Sequence, residues 1–150
     1  MRRAFIISVI LFFFCSIFAY AQFKQPTLVG TWRYFYIETS DNGSSRLEPG
    51  PYFKKIAENG NFYNLIYMNG NYQFTHQGAY YLIDDIYKEY MTKHAGDKNM
   101  IGVTSKIHYY FINENMVNFS FKYKNKDCFE VWVRVPDNID LSSVVAPEGY

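Results

Sequence analysis

The sequence predicts an all-β domain, one antiparallel up-and-down meander of about eight or nine strands behind a cleaved leader. Three observations lead there. The chain carries 15 Tyr and 14 Phe, an aromatic share of 21%, and rings fit a pleated, half-buried surface. Short aromatic and β-branched runs alternate with turn clusters after residue 21. Before that point, Arg2 and Arg3 precede the apolar run Phe5 to Phe18, and Ala19-Tyr20-Ala21 forms a small-x-small site ahead of Gln22, the pattern of a secretory signal. The apolar run is shorter than the ~20 residues of a spanning helix. Phe12-Phe13-Phe14 before Cys15 also departs from a lipidation site, where a small residue precedes the cysteine. The expected organisation is a signal peptide over 1–21 and one domain over 22–150 ending in a tail at 137–150, in a secreted or periplasmic protein.

Taken in order, the strands are expected near Gly30 to Glu38, Tyr52 to Ala57, Asn61 to Met68, Asn71 to His76, Ala79 to Ile83, Tyr87 to Thr92, Val103 to Ile112, Met116 to Tyr123 and Cys128 to Val135. Glu58-Asn59-Gly60, Asn69-Gly70 and Asn113-Glu114-Asn115 are tight-turn sequences that tolerate positive φ, and Lys124-Asn125-Lys126-Asp127 is a slightly longer hairpin. Two longer loops are expected at Thr39 to Pro51, rich in Ser, Gly and Pro, and at His94 to Gly102.

Charge narrows the functional classes. Without the leader, 13 basic residues face 14 acidic ones, so the broad positive footprint of a nucleic-acid or anionic-membrane binder is missing. Lysines interleaved with rings at Phe121-Lys122-Tyr123-Lys124 read as a solubilised hairpin edge. Only Cys128 remains after processing; it cannot form an internal disulfide and is expected as a small buried hydrophobe at a strand start.

A meander of this kind must hide its edges by closing into a barrel or stacking as two sheets. Alternation puts Trp32, Tyr34 and Tyr36 on one face of the first strand. Val117, Phe119, Phe121 and Tyr123 share a face, as do Phe129, Val131, Val133 and Val135, opposite Glu130, Trp132 and Arg134. These patterns suit either architecture.

Gly30-x-Trp32 in the first strand, shortly after the leader, with Arg134 near the end of the last strand, resembles the lipocalin and wider calycin pattern. Phe74, Gly78-x-Tyr80 and Tyr87-x-Glu89 are similar to small secreted bacterial lipocalin-like domains of unassigned function. The resemblance implies a single antiparallel up-and-down β-barrel, with Trp32 plugging its closed end and Arg134 packed across the indole, a cation–π contact of about 1–2 kcal/mol where desolvated. A barrel of this size holds its own side chains or one small ligand. Tyr34 and Tyr36 follow Trp32 inward by alternation, and Tyr80, Tyr110 and Trp132 join them as candidate ligand-binding residues. Such a lining suits a small hydrophobic or amphipathic molecule, or the rings simply fill the core.

Catalytic and metal signatures are thin. Asp84, Asp85 and Glu89 could gather for acid-base work or a cation, but neighbouring strand residues point to opposite faces, and Asp84-Asp85 reads as a solvated turn. His76, His94 and His108 lie on different elements without metal-binding spacing, the first and last as strand residues and His94 in a loop. No nucleophile elbow or phosphate loop is present. No enzymatic activity, cofactor or metal is expected. The expected function is small-molecule binding; the alternative is a non-enzymatic module docking an exported or membrane-associated partner through its outer sheet face. The two-sided apolar run Phe62 to Met68 motivates that alternative, unless Ile139, Leu141, Val144 and Val145 of the tail cover it.

Overall fold

The computed structural model describes residues 26–123 and 125–146. The expected leader at 1–21 lies outside the described residues. Eight strands follow one another: β1 (Gly30–Thr39), β2 (Ser45–Ile56), β3 (Asn61–Met68), β4 (Asn71–Ile83), β5 (Ile86–His94), β6 (Thr104–Asn113), β7 (Met116–Tyr123) and β8 (Lys126–Val135). Each pairs antiparallel with the next, and β1 returns to pair with β8, Thr31 opposite Val135 and Phe35 opposite Val131. The sheet is a closed up-and-down barrel, which removes the free edges that an open meander would expose. Among the described residues no helix is long and apolar enough to cross a membrane.

The turns form where the sequence permits positive φ. Asn69 and Gly70 both lie there, at φ 53° and 82°, as a two-residue hairpin matched to strand twist requires. Asp84 does the same at φ 54° between β4 and β5, so the carboxylate pair is a turn.

Two boundaries depart from expectation. The segment Thr39 to Pro51 is mostly strand: β2 begins at Ser45, and only 40–44 turn the chain. Gly43 belongs to that turn, and Pro49, Gly50 and Pro51 sit where the pairing slips, with Arg33 opposite Phe53 but Phe35 opposite Pro49; irregularities are where a strand tolerates proline. The second departure joins Asn71 to His76 and Ala79 to Ile83 into the single strand β4. Gly78 lies in its middle because β5 crosses so closely that a Cβ there would come within 1.9 Å of the Tyr90 carbonyl oxygen.

A bulge in β4 sets which side chains enter the barrel. Asn64 faces His76 but Leu65 faces Phe74, so Thr75 is an extra residue that reverses the alternation. Tyr72 and Phe74 therefore pack in a cluster with Phe53, Leu65, Ile139 and Val144. Through that cluster the tail closes over the β2–β4 wall, and a bond from Val145 N–H to the Tyr72 carbonyl (3.0 Å) adds it alongside β4. Asp137 fixes its start, accepting from Thr31 Oγ1 at 2.6 Å and pairing with Lys55 at 2.9 Å. Those two partners hold its carboxyl below the ordinary range.

Candidate functional site

The interior is divided. One end is filled by Leu28, Trp32, Ile56, Tyr87, Ile107, Val117, Phe119 and Trp132. Trp32 is the plug: its indole N–H donates to the Leu28 carbonyl at 2.7 Å. The Arg134 guanidinium lies 4.2 Å from the ring centroid and donates to the Val29 and Thr27 carbonyls at 2.8 and 2.6 Å. Gly30 completes the arrangement, since at φ 139° a Cβ would stand 2.3 Å from an Arg134 nitrogen. The sequence pattern Gly-x-Trp thus has a steric cause: the glycine leaves room for the guanidinium that covers the indole.

Towards the other end opens a cavity of about 1160 Å³. Its floor is polar. The Lys54 ammonium bonds the Glu89 carboxylate, and both side chains are 4% exposed. Four rings wall the ammonium, with centroids at 5.3 Å (Tyr87), 5.4 Å (Phe119), 5.6 Å (Trp132) and 5.8 Å (Phe62). Alternation explains why a charge points inward here: Lys54 shares its face of β2 with the buried Ile56, and Glu89 lies between Tyr87 and Met91, both buried. A buried charge is tolerated only when paired, and each member of this pair satisfies the other.

Beside the pair, Asn64 bonds His76 Nε2, and His76 Nδ1 lies 3.2 Å from Thr75 Oγ1. His94 stacks on His76 with centroids 5.3 Å apart. Burial pushes the His76 pKa down to about 4; Glu89 opposes that shift, and Lys54 and His94 reinforce it. His76 is therefore neutral near pH 7. Burial first, then the facing Glu89, also hold the Tyr87 phenol protonated well above its ordinary range. Its hydroxyl approaches Glu89 without reaching hydrogen-bond geometry, and it and Asn64 Oδ1 have no hydrogen-bond partner among the described residues.

The lining beyond the floor includes Tyr34, Met91, Ile107, Phe121 and Trp132, with Met100 and Val103 from the segment between β5 and β6. Tyr34 stacks edge-on against Trp132 at 5.6 Å, and the Trp132 N–H donates to Glu130 at 2.8 Å. On β8 the mixed polar-aromatic face looks inward, while Phe129 is 71% exposed.

Tyr34 and Trp132 thus line the cavity as the sequence suggests. The others are placed differently. Tyr36 is 44% exposed and outside the lining, because β1 runs on into the projecting hairpin with β2. Tyr80 belongs to the filled end, packed on Tyr87 and donating to the Ala57 carbonyl at 3.0 Å. Tyr110 is 60% exposed on the outer face, because its neighbours Tyr109 and Phe111 pack against the core. His94 is the last residue of β5 rather than a loop residue, and Cys128 is a half-buried cavity-lining residue rather than a core one. Of the floor residues, Lys54 and Asn64 drew no notice in the sequence, Glu89 entered only in the Tyr87-x-Glu89 step and beside Asp84 and Asp85, and His76 only as an ordinary strand residue. Among the described residues no group of three or more His, Cys, Asp and Glu side chains is placed to hold a metal ion.

Two solved structures share features of this chain. An uncharacterized protein from Bacteroides eggerthii is 16% identical, with 73% of this chain and 100% of that one covered at a TM-score of 0.48. A lipocalin-like protein from Bacteroides uniformis is 15% identical, with 72% and 98% covered at a TM-score of 0.45. No curated protein matches the chain. Residues 27–141 match the family described as "Domain of unknown function (DUF4488)", and the chain belongs to that family.

Proposed function

We propose that the barrel is a container for one small hydrophobic or amphipathic molecule, exported and without catalytic activity of its own. The cavity of about 1160 Å³ carries this reading, because a barrel serving only as a packed core would fill that space with side chains. Ring and thioether walls supply the apolar contact, and the polar floor supplies orientation. Export rests on the leader pattern at 1–21. The competing docking role rests on the apolar run Phe62 to Met68, of which the tail covers Leu65 and Tyr63 while Tyr67 and Met68 stay about half exposed.

The test uses N-phenyl-1-naphthylamine, an uncharged fluorophore that brightens on leaving water. Saturable enhancement at one probe per chain, with energy transfer from tryptophan reduced in Trp132→Phe, is expected. Enhancement that never saturates, or that survives unfolding in urea, would overturn the container reading.

A further inference from the structure

We infer that the cavity's occupant is a cation, a hydrophobic amine whose ammonium group is seated at the Glu130 carboxylate and whose apolar body lies against the rings of the lining. This rests on the container reading and adds the charge of the occupant and the residue that selects it.

Strand register turns Glu130 inward. Residues directly opposite one another share a face of a sheet, and Glu130 stands opposite Phe119, which is fully buried. Its neighbours along that face of β8 are Trp132, opposite the buried Val117, and the cavity-lining Cys128, opposite Phe121. β1 parts from β8 after Phe35, opposite Val131, so Glu130 lies just past the last paired rung. Its charge acts on Tyr34, whose phenol is held protonated above the ordinary range by burial first and Glu130 second.

This carboxylate is held but not neutralised. Oε2 accepts from the Trp132 indole N–H at 2.8 Å, which fixes the side chain without supplying charge. Oε1 accepts no hydrogen bond among the described residues, yet Glu130 is only part-buried and that oxygen is not sealed off as Asn64 Oδ1 and the Tyr87 hydroxyl are. None of the ion pairs among the described residues includes Glu130. The other charges of the lining are engaged elsewhere. Lys54 and Glu89 satisfy each other on the closed floor. Lys122 pairs with Asp127 at 3.2 Å on the outer face, and Lys106 stands on that face opposite Lys88, beside the buried Ile107. His108 faces Asp85 on the exposed side. His76 is neutral near pH 7, and His94 Nδ1 accepts from the Gly96 and Asp97 N–H groups at 3.1 and 2.9 Å, as only an unprotonated nitrogen can. The interior is left with one negative charge in excess, which repels an anion and attracts a cation. A hydrogen bond between ammonium and carboxylate is roughly twice as strong as one between neutral groups. Tyr34, Phe121 and Trp132 add ring surface that attracts an ammonium, and Met91 and Met100 offer adaptable thioethers to the apolar body.

The experiment measures displacement of bound N-phenyl-1-naphthylamine from the wild-type protein at pH 7.5 by 4-hexylbenzylamine, by the uncharged 4-hexylbenzyl alcohol, and by 4-hexylbenzoate. The amine is expected to displace at about tenfold lower concentration than the alcohol, the worth of one charge-assisted hydrogen bond, with the benzoate weakest. Glu130→Gln keeps an acceptor for the Trp132 N–H while removing the charge, and is expected to bring the amine to the alcohol's level and leave the alcohol unchanged. Equal displacement by amine and alcohol in the wild type, or tightest binding by the benzoate, overturns the cation inference while leaving the container reading intact. An amine preference that persists in Glu130→Gln overturns the assignment to Glu130. Absence of saturable binding by every probe overturns both readings. Glu130→Ser removes the same carboxylate and makes the same comparison if Glu130→Gln does not fold.

Discussion

Replacing Lys54 with methionine isolates what the buried charge pair does for this barrel. The thioether keeps much of the lysine's volume among the Phe62, Tyr87, Phe119 and Trp132 rings, but it leaves the Glu89 carboxylate 4% exposed and unpaired. Breaking such a pair from one side costs about 3–5 kcal/mol, a large share of the roughly 5–15 kcal/mol that stabilises a whole domain. With a urea dependence of about 1–3 kcal/mol per molar, the midpoint falls by roughly 2 M. The double variant Lys54→Met with Glu89→Leu removes both charges and is expected to lie within about 2 kcal/mol of wild type, because an apolar replacement of both partners is often nearly neutral. Urea titrations of wild type, both single variants and the double, followed by tryptophan fluorescence at pH 7.5, close the cycle. The ring contacts of Lys54 are lost in both variants lacking it, so the coupling reports the charges. A cost below about 1 kcal/mol for Lys54→Met, or a double variant as weak as the sum of the singles, would refute the assignment of a desolvated pair.

Other consequences follow from the same geometry. The unfolded His76 takes a proton near pH 6.5 and the folded one only near pH 4, so between those values the unfolded state binds more protons and stability falls as pH is lowered. At about 1.4 kcal/mol per pH unit, wild type should lose about 3 kcal/mol more than His76→Phe between pH 7.5 and 4 in parallel urea titrations; a constant difference would refute this. Gly78→Ala should abolish the folded state, seen as loss of the cooperative thermal transition, because the added carbon meets a backbone oxygen at 1.9 Å that cannot yield without separating β4 from β5. Gly30→Ala should cost about 1–3 kcal/mol, combining positive-φ strain with displacement of a movable guanidinium; an unchanged thermal midpoint would count against the capping role of Arg134. Arg134→Met should cost a comparable amount through its carbonyl bonds and its stacking on Trp32, read in the same assay.

The parts of this molecule that were legible in the sequence are those governed by local rules. Asn69-Gly70 dictates a hairpin, and Gly30, Trp32 and Arg134 mark the closed end through one steric relation. Strand β2 was obscured because Pro49 and Gly50 look like loop residues until an irregular pairing places them. Tyr110 and Tyr109 could not be ranked because β6 carries aromatic or aliphatic residues on both faces, Ile107, Tyr109 and Phe111 against Tyr110 and Ile112. The site floor was hidden for a different reason. A lone Lys or Glu in a strand reads as a solvent-facing residue, and only the alternation Lys54-x-Ile56 and Tyr87-x-Glu89-x-Met91 betrays that these two face inward. Their meeting joins residues 35 apart in sequence, which no local pattern encodes.

The additional residue at Thr75 gives one ribbon two allegiances. North of it the side chains face the barrel's interior, and south of it they serve the strap that wraps the outside. Deleting that single residue would swing Tyr72 and Phe74 into the hollow and strip the strap of its anchorage, so the size of the interior space and the fastening of its outer wrap are written in the same place.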